Sequence, residues 1–373
     1  MRFLTAGESH GECLVGILEG LPAGLRLDKQ QIDQGLARRQ KGYGRGGRMK
    51  IEKDKVEILC GLRKGKTIGA PLALLIKNKD FKINSLASVV SPRPGHADLA
   101  GALKYNTKDI RDILERASAR ETAMRVAIGA VCRVLLGEFK IDIVGHVTSI
   151  GNTCIQVEKI SFNQIRHKAA QSRLSCIDKR AERKMIAEIN LARGEGDSLG
   201  GTFEIIAINL PVGLGSFVHW QRRLDARLAA SLMSIPAIKG VEIGAGFLGA
   251  SLRGSQVQDP IFYTKRDGFF RKTNRNGGLE GGVTNGEPLV LRCAMKPIAT
   301  LGKPLSSVNI KTKKATKAAV ERADVCAVPA ASVVGEACVS FCLAQAALEK
   351  FGGDSLSELK RNYQGYLKQI KKF

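Results

Sequence analysis

The chain has 373 residues, 44% of them hydrophobic, and its 59 Lys and Arg outnumber 35 Asp and Glu to give a net charge of +24. A chain of this length and hydrophobicity is expected to fold around a sizeable core, which excludes disorder as the default. The charge predicts an anionic partner, either nucleic acid, an anionic membrane or a small phosphorylated or carboxylated ligand. Aromatic residues make up only 5%, which disfavours stacking of single-stranded nucleic acid.

Targeting signals, membrane spans and metal sites are also disfavoured. The N-terminus reaches Glu8 before the apolar core of a signal peptide has formed, and no run approaches the length of a membrane span. The nine cysteines are odd in number, none forms a Cys-x-x-Cys pair, and most lie in apolar runs. These features predict reduced, buried thiols in a cytoplasmic protein that binds neither metal nor membrane.

Segment 7–11, Gly-Glu-Ser-His-Gly, contains one of only five histidines and is the first candidate for catalysis. Histidine can both donate and accept a proton near neutral pH, and flanking glycines let a ligand approach the backbone. Ser9 and His10 could share a site only across a turn, because neighbouring side chains of a strand point to opposite faces. A surface turn is the alternative. A Ser-His nucleophile pair would lack an orienting carboxylate at a suitable spacing.

Segment 38–50 holds six basic residues and four glycines without an acid. Such a loop can wrap a phosphate or a carboxylate, because arginine supplies bidentate donors. A solvated loop or an RNA-binding loop is an equal alternative. Segment 93–98, Arg-Pro-Gly-His-Ala-Asp, then places His96 in a second turn. Two such histidines in a chain so poor in histidine favour a site over two unrelated surface turns.

A long helix is predicted from an N-cap at Thr107 to about Phe139, with a second half that is apolar nearly all round. Within it, Arg116 and Arg120 are four residues apart and are expected to share a face. Buried arginines need anionic partners. A bound anion is the preferred partner, and Glu115 or Glu121 is the structural alternative.

Strands are predicted at 56–60, 203–210 and 288–295. The Gly-rich segment 277–286 precedes the third strand and is a weak sign of phosphate binding, since it lacks the ending of a Walker loop. Segment 296–300 follows that strand and could close over the same ligand. Arg322 and Asp324 lie at the entrance of a second apolar helix, where they suit anion binding and proton handling.

The overall architecture is predicted to be a single α+β domain spanning 1–373, because no linker is visible. The second apolar helix, 330–348, has Glu336 as its only charge, and two helices of this kind are expected to be buried on both sides. Segment 20–25 resembles 209–214, and similar helix starts at 32–37 and 224–229 follow. This repeat indicates either an internal duplication or a coincidence.

These segments, in this order and spacing, resemble chorismate synthase over essentially the whole chain, from 7–11 to 330–336. The resemblance implies removal of phosphate and a hydrogen from 5-enolpyruvylshikimate 3-phosphate by 1,4-elimination to give chorismate, a step of aromatic amino-acid synthesis. It implies a requirement for reduced FMN, a β-α-β sandwich with helices between antiparallel sheets, and a homotetramer. Such a substrate carries a charge of roughly −4, which accounts for many arginines at one site.

Matching motif positions implies roles for individual residues. His10 would act as general acid on the departing phosphate, His96 would keep a proton near the reduced flavin, and Ser9 and Asp324 would relay a proton away from flavin N5. The substrate would contact Arg39, Arg45, Arg48, Arg93, Arg120 and Arg322. In the alternative, Arg39 and Arg45 would bind the phosphates of a nicotinamide nucleotide. The flavin would contact Arg116, Ala117, Ser118, Pro236, Ala237, Gly281, Lys296, Pro297, Ile298, Ala299, Thr300 and Arg322.

The chain departs from the usual pattern of the family at several places. Pro236 stands where relatives usually carry Asn, Ala323 where they carry Ser or His, and Thr284 where Ser is commoner, and the segment 80–93 is shorter. No flavin-reductase segment is visible, so an external reductase or another donor is expected, with NADPH as an indirect electron source. An RNA-binding protein, with salt-steep affinity, and a kinase-like enzyme are the alternatives.

Overall fold

Two antiparallel sheets and several helices form the core of the computed structural model, which describes residues 1–47, 51–156 and 160–373. The first sheet contains β1 (Arg2–Ala6), β2 (Cys13–Glu19), β3 (Val56–Cys60) and β6 (Leu72–Lys77), in the order β1-β2-β6-β3. The second contains β7 (Asp142–Ile150), β8 (Thr153–Cys154), β9 (Gly201–Ile208), β10 (Ile238–Ile243) and β15 (Leu289–Met295), in the order β10-β15-β9-β7-β8. The predicted strands at 56–60, 203–210 and 288–295 are therefore confirmed to within two residues.

The remaining strands form small hairpins, and the helices connect the sheets. The hairpins are β4 (Leu62–Arg63) with β5 (Lys66–Thr67), β11 (Ile261–Thr264) with β12 (Gly268–Arg271), β13 (Leu279–Glu280) with β14 (Val283–Thr284), and β16 (Ser306–Val308) with β17 (Ala315–Lys317). The helices are α1 (Lys29–Gln40), α2 (Asp98–Tyr105), α3 (Arg111–Ala117), α4 (Thr122–Gly137), α5 (Phe162–Gln171), α6 (Lys179–Glu195), α7 (Leu224–Met233), α8 (Gly246–Ala250), α9 (Gly254–Val257), α10 (Val328–Phe351) and α11 (Leu356–Lys371). The mixed α and β class is confirmed.

Helices pack against both sheets. Helices α1 and α4 pack on the first sheet, whereas α7 and α10 pack on the second. Helix α4 runs against α10 at Gly129, where an added Cβ would lie 2.3 Å from the Cβ of Ala337. Only glycine allows this approach, because packed interiors leave no room for another carbon. Helix α10 is long and apolar enough to cross a membrane, but 83% of its most apolar window is buried inside the protein.

The helix predicted from Thr107 to Phe139 is wrong as a single element. Helix α3 ends at Ala117, and the extended backbone of Ser118 starts a 3-10 turn over Ala119–Glu121 before α4 begins. The Ser118 hydroxyl accepts from the N–H of Arg120 at 3.2 Å and so caps that turn. The apolar periodicity continues through the break, so it gave no sign of the change in direction.

This break separates the two arginines that were expected to share a face. Arg116 is exposed and donates to the backbone carbonyls of Gly7 and Thr5, whereas Arg120 is buried and donates to Asp54. The partners of Arg116 and Arg120 named here are therefore not Glu115 or Glu121, which were the structural alternative to a bound anion.

The two sheets share the same strand register and the same loop geometry. Leu18 of β2 lies opposite Leu72 of β6, and Ala207 of β9 lies opposite Leu289 of β15. The loops after β2 and β9 are the repeated segments 20–25 and 209–214. Each is clamped by a buried threonine, whose Oγ1 donates to the proline carbonyl and accepts from the last leucine N–H. These distances are 2.6 and 2.9 Å for Thr67, and 2.7 and 2.8 Å for Thr284.

We expect Thr67→Val and Thr284→Val to destabilise the protein by similar amounts. Each removes a hydroxyl and leaves a buried carbonyl and a buried N–H without that partner, at a cost of about 1–3 kcal/mol. The two effects should add, because the residues lie against different sheets. The midpoint of chemical denaturation measures the loss of stability. Thr312→Val, at an exposed position, is the control. A large effect at one threonine and none at the other would contradict equivalent clamps.

The nine cysteines are all free thiols. Six are buried, Cys13 is partly buried, and Cys60 and Cys154 are exposed, so burial is confirmed for most but not all of them. Burial raises the pKa of Cys326 to about 11, which leaves this thiol protonated and inert at neutral pH.

Candidate active site

The first candidate histidine lies in the loop between β1 and β2. Gly7 has a φ of +110°, and a Cβ there would lie 2.3 Å from the carbonyl oxygen of Cys13, so the turn requires glycine. Glu115 of α3 holds the rest of the loop. Its backbone carbonyl accepts from the N–H of buried Ser9 at 2.9 Å. Its carboxylate lies 2.6 Å from the backbone nitrogen and 2.9 Å from Nδ1 of His10.

The other ring nitrogen of His10 faces a cluster of charges. Nε2 lies 3.7 Å from Oδ2 of Asp80, and that oxygen lies 2.9 Å from Nη2 of Arg322. Lys82 Nζ lies 3.1 Å from the second Asp80 oxygen. Burial would raise the pKa of Asp80, but Lys82, His10 and Arg322 outweigh it and lower that pKa. Asp80 therefore connects His10 to two cations, Arg322 and Lys82.

Three of the predicted substrate residues, Arg39, Arg45 and Arg120, lie together and mostly buried. Arg120 donates to both oxygens of Asp54 at 2.7 and 2.8 Å, and Arg45 lies 3.0 Å from Asp324. In the part of the chain that the structure describes, Arg39 Nη1 and Arg120 Nη2 are buried without a hydrogen-bond partner. Burial and repulsion from Arg45 and Arg120 lower the pKa of Arg39 to about 9. Arg39 Nη1 lies 3.7 Å from Asp54 and Arg120 Nη2 lies 3.8 Å from Glu52, so with Asp324 the cluster contains as many carboxylates as arginines.

Asn78 joins the arginine cluster to the His10 loop. Its Oδ1 accepts from Nε of Arg120 at 2.8 Å, and its Nδ2 donates to the carbonyl of Gly11 at 2.7 Å. The basic residues of segment 38–50 that the structure describes thus include Arg39 and Arg45 turned inward. This placement favours a small anionic ligand over RNA. Arg48 lies outside the described residues, and its role stays a prediction.

The second candidate histidine belongs to a separate set of contacts. His96 Nδ1 lies 2.5 Å from Oδ1 of Asp98, and Arg93 Nε donates to the other oxygen at 2.9 Å. Arg93 Nη1 donates to Oγ1 of Thr300 at 2.6 Å, and Lys296 Nζ donates to the backbone carbonyl before His96 at 2.9 Å. Burial would raise the pKa of Asp98, but the hydrogen bonds from His96 and Arg93 hold it well below its usual range.

A cavity of about 490 Å³ collects four of the predicted flavin residues, Arg116, Ala117, Ser118 and Pro236. Thr5, Ser234, Arg125 and Glu121 complete its polar lining, with Glu121 paired to Arg125, and Phe3 and Leu4 contribute apolar surface. This volume lies within the range of roughly 300–1,000 Å³ that is usual for cofactor sites. Guanidinium and hydroxyl donors beside apolar side chains fit the phosphate and the ring of a flavin.

The other predicted flavin residues are distributed around this cavity and beyond it. The carbonyl of Ala237 accepts from the N–H of Lys296 at 2.9 Å, which brings segment 296–300 next to Pro236. Ser198 donates to the carbonyl of Ile298, between Pro297 and Ala299. Gly281 lines a second cavity of about 700 Å³, together with Arg223 and Arg275. Arg322 pairs with Asp80, on the His10 side.

Sequence reasoning missed the carboxylates that hold the site together. Glu115 and Asp98 stood inside the motifs that were singled out, but only as a partner for arginine or as an unassigned residue. Asp80, Asp54 and Asn78 received no role. Their position in the sequence gave no sign of which basic residue each would contact, because the partners lie in distant segments.

Comparison with known proteins is consistent with this site. The family model described as chorismate synthase matches residues 1–348. The chorismate synthase of Desulforudis audaxviator is 54% identical, with 100% of this chain and 98% of that protein covered. The chorismate synthase of Alkaliphilus metalliredigens is also 54% identical, over 98% and 99%. The chain belongs to the chorismate synthase family.

A solved structure supports the same conclusion for the fold. A crystal structure of chorismate synthase superposes with a TM-score of 0.84 at 45% identity, covering 100% of this chain and 98% of that one. Members of the family use reduced FMN. The family recognised from the motif order is therefore confirmed.

Proposed function

We infer that the chain is a lyase that converts 5-enolpyruvylshikimate 3-phosphate to chorismate and phosphate by 1,4-elimination. The observation that carries this inference is the site around His10 in a chain of this family. His10, held by Glu115, lies beside Asp80, which pairs with Arg322 and Lys82, and Asn78 links the His10 loop to the arginine cluster. A substrate with a phosphate and two carboxylates would bind to these cations.

We propose that Nε2 of His10 donates a proton to the departing phosphate. A phosphate that leaves protonated is a better leaving group, and a positioned general acid contributes about 10²- to 10⁴-fold to such steps. Arg322 and Lys82 would stabilise the phosphate charge. Arg39, Arg45, Arg48, Arg93 and Arg120 would bind and orient the rest of the substrate.

We propose that the cavity bounded by Arg116, Ser118 and Pro236 holds reduced FMN, with Ala117, Ala237 and segment 296–300 beside it. Reduced FMN held there would supply electron density to the substrate. His96, held by Asp98, would keep a proton at its ring near the flavin. Ser9 Oγ and the Asp324 carboxylate would carry the proton removed from the substrate away from the site. Gly281 would approach the flavin from its own loop.

Further proposals concern the setting of the reaction. We propose a cytoplasmic homotetramer that obtains reduced flavin from an external reductase or another donor, with NADPH as the indirect electron source. Arg39 and Arg45 would bind either the substrate or the nicotinamide nucleotide. The shared strand register and the clamps at Thr67 and Thr284 support an internal duplication and the sandwich arrangement of the family.

The direct test incubates the purified protein without oxygen with dithionite-reduced FMN and 5-enolpyruvylshikimate 3-phosphate. Flavin-dependent release of both chorismate and phosphate is expected. Oxidised FMN is the control and should give no product. If flavin and substrate bind without turnover, the departures at Pro236 and in the short segment 80–93 become the cause to examine. Failure to bind either molecule would contradict the proposed function.

A further inference from the structure

Both carboxylate oxygens of Glu115 contact the same residue. Oε2 accepts from the backbone N–H of His10 at 2.6 Å, and Oε1 lies 2.9 Å from the ring nitrogen Nδ1. The Glu115 side chain is only 4% exposed, and its helix also holds Ser9 through the backbone. The position and the ring plane of His10 are therefore set by one acidic side chain, 105 residues away in the chain.

The charge state of Glu115 decides which ring nitrogen carries a fixed proton. Burial would raise the pKa of Glu115, but the side-chain and backbone hydrogen bonds from His10 outweigh it and lower the pKa. An ionised carboxylate can only accept hydrogen bonds, so Nδ1 must be the donor. Nδ1 then keeps its hydrogen whether the ring is neutral or cationic, and the exchangeable proton is the one on Nε2.

The surroundings of Nε2 leave that proton available for a ligand. The carboxylate of Asp80 is 3.7 Å away, which is beyond hydrogen-bond distance. Arg322 and Lys82 hold this carboxylate from its other sides at 2.9 and 3.1 Å. A phosphate bound at these two cations would lie beside Nε2, on the opposite side of the ring from Glu115.

We propose that Glu115 is a positioning residue that fixes the Nδ1–H form of His10 and so directs its acidic proton, on Nε2, toward the leaving phosphate. The proposal rests on the function inferred above, in which His10 is the general acid. Glu115 itself touches neither the substrate nor the flavin in this scheme. It supplies orientation and a counter-charge for the cationic ring.

The first test reads the tautomer directly and needs no turnover. The protein is labelled with ¹⁵N-histidine, and the signals of His10, one of five histidines, are assigned by their loss in His10→Gln. In the neutral ring of the wild type we expect hydrogen on Nδ1. In Glu115→Gln the amide oxygen can still accept from the backbone N–H of His10, which turns the NH₂ group toward Nδ1. Nδ1 must then accept a hydrogen bond, so the hydrogen of the neutral ring should move to Nε2.

The second test uses the pH dependence of turnover. Glu115→Gln removes the counter-charge beside the ring, so the pH profile of kcat should differ from that of the wild type. We expect kcat at pH 7.5 to fall about 10- to 100-fold, with a smaller change in KM. Asp112→Asn is the matched control, because it removes an exposed carboxylate from the same helix. It should change neither the tautomer nor the profile.

The outcomes separate this proposal from the function on which it rests. If His10→Ala keeps near-normal turnover, the general-acid role is wrong even where the tautomer depends on Glu115. If His10→Ala abolishes turnover but the wild-type ring carries its neutral hydrogen on Nε2, the positioning role is overturned. An unchanged pH profile in Glu115→Gln would overturn it as well. If Glu115→Gln fails to fold, the tautomer of His10 in the wild-type protein still tests the positioning role of Glu115.

Discussion

Replacing His10 with alanine is expected to lower kcat for chorismate formation by about 10²- to 10⁴-fold. The ring is the proposed donor to the departing phosphate, whereas binding of the anion rests on arginines that the substitution leaves in place. KM for the substrate should therefore change much less than kcat. Stopped-flow measurement of chorismate absorbance under anaerobic conditions, with reduced FMN in excess, provides both constants.

Two further histidine variants extend this experiment, one as a control and one as a second test of the proposed site. His167→Ala changes an exposed histidine that contacts only Gln171 among the hydrogen bonds described, and it should keep wild-type turnover. His96→Ala should also lower turnover sharply, since it removes the ring that Asp98 holds near the proposed flavin site. Near-normal rates in both His10→Ala and His96→Ala would end the assignment of these residues to catalysis.

Replacing Glu336 with glutamine is expected to give the largest loss of stability among the charge substitutions considered. Glu336 lies in the middle of α10, buried, and its carboxylate accepts from Arg38, Arg133 and the backbone N–H of Gly145. The substitution removes the counter-charge of Arg38 and leaves Arg133 with Asp142 alone, at a cost of about 3 kcal/mol. This is the low end of the range for buried ion pairs, because both arginine side chains reach water.

The loss should depend on pH in a predictable direction. Burial would raise the pKa of Glu336, but the contacts with Arg38, Arg133 and Gly145 outweigh it and lower the pKa in the folded protein. A carboxyl group of this kind stabilises the fold above its unfolded pKa of roughly 4.3 and loses that contribution as the pH falls below it. The difference in unfolding free energy between wild type and Glu336→Gln should therefore stay constant from pH 7 to about pH 5 and shrink as the pH falls below about 4.

A control for this prediction lies on the same helix. Glu349 forms an exposed ion pair with Arg227 at 2.7 Å, and exposed pairs contribute at most about 1 kcal/mol. Glu349→Gln should therefore leave the denaturation midpoint almost unchanged. Equal effects of the two substitutions would show that burial of Glu336 does not strengthen its ion pairs.

The pattern of neighbouring residues was sufficient to predict the strands and helices that have a regular hydrophobic periodicity and clear ends. The strands at 56–60 and 288–295 and the helix over 330–348 were predicted to within a few residues, since alternation and continuous apolarity are properties of neighbouring residues. The break at Ser118 was missed. A capped 3-10 turn needs only one residue with extended backbone, and serine is common both inside helices and at their caps.

The sequence by itself determined the family and the excess of positive charge, and it predicted the two histidines and the arginines of the site. These features depend only on residue type and order, so they can be recognised without knowledge of the fold. Only the tertiary structure decided which partners these groups have. Glu115 meets His10, Arg120 meets Asp54, and Arg322 meets Asp80 across 105, 66 and 242 residues. Hydrogen bonds act over about 3 Å, so pairing between distant segments depends on how the sheets and helices pack.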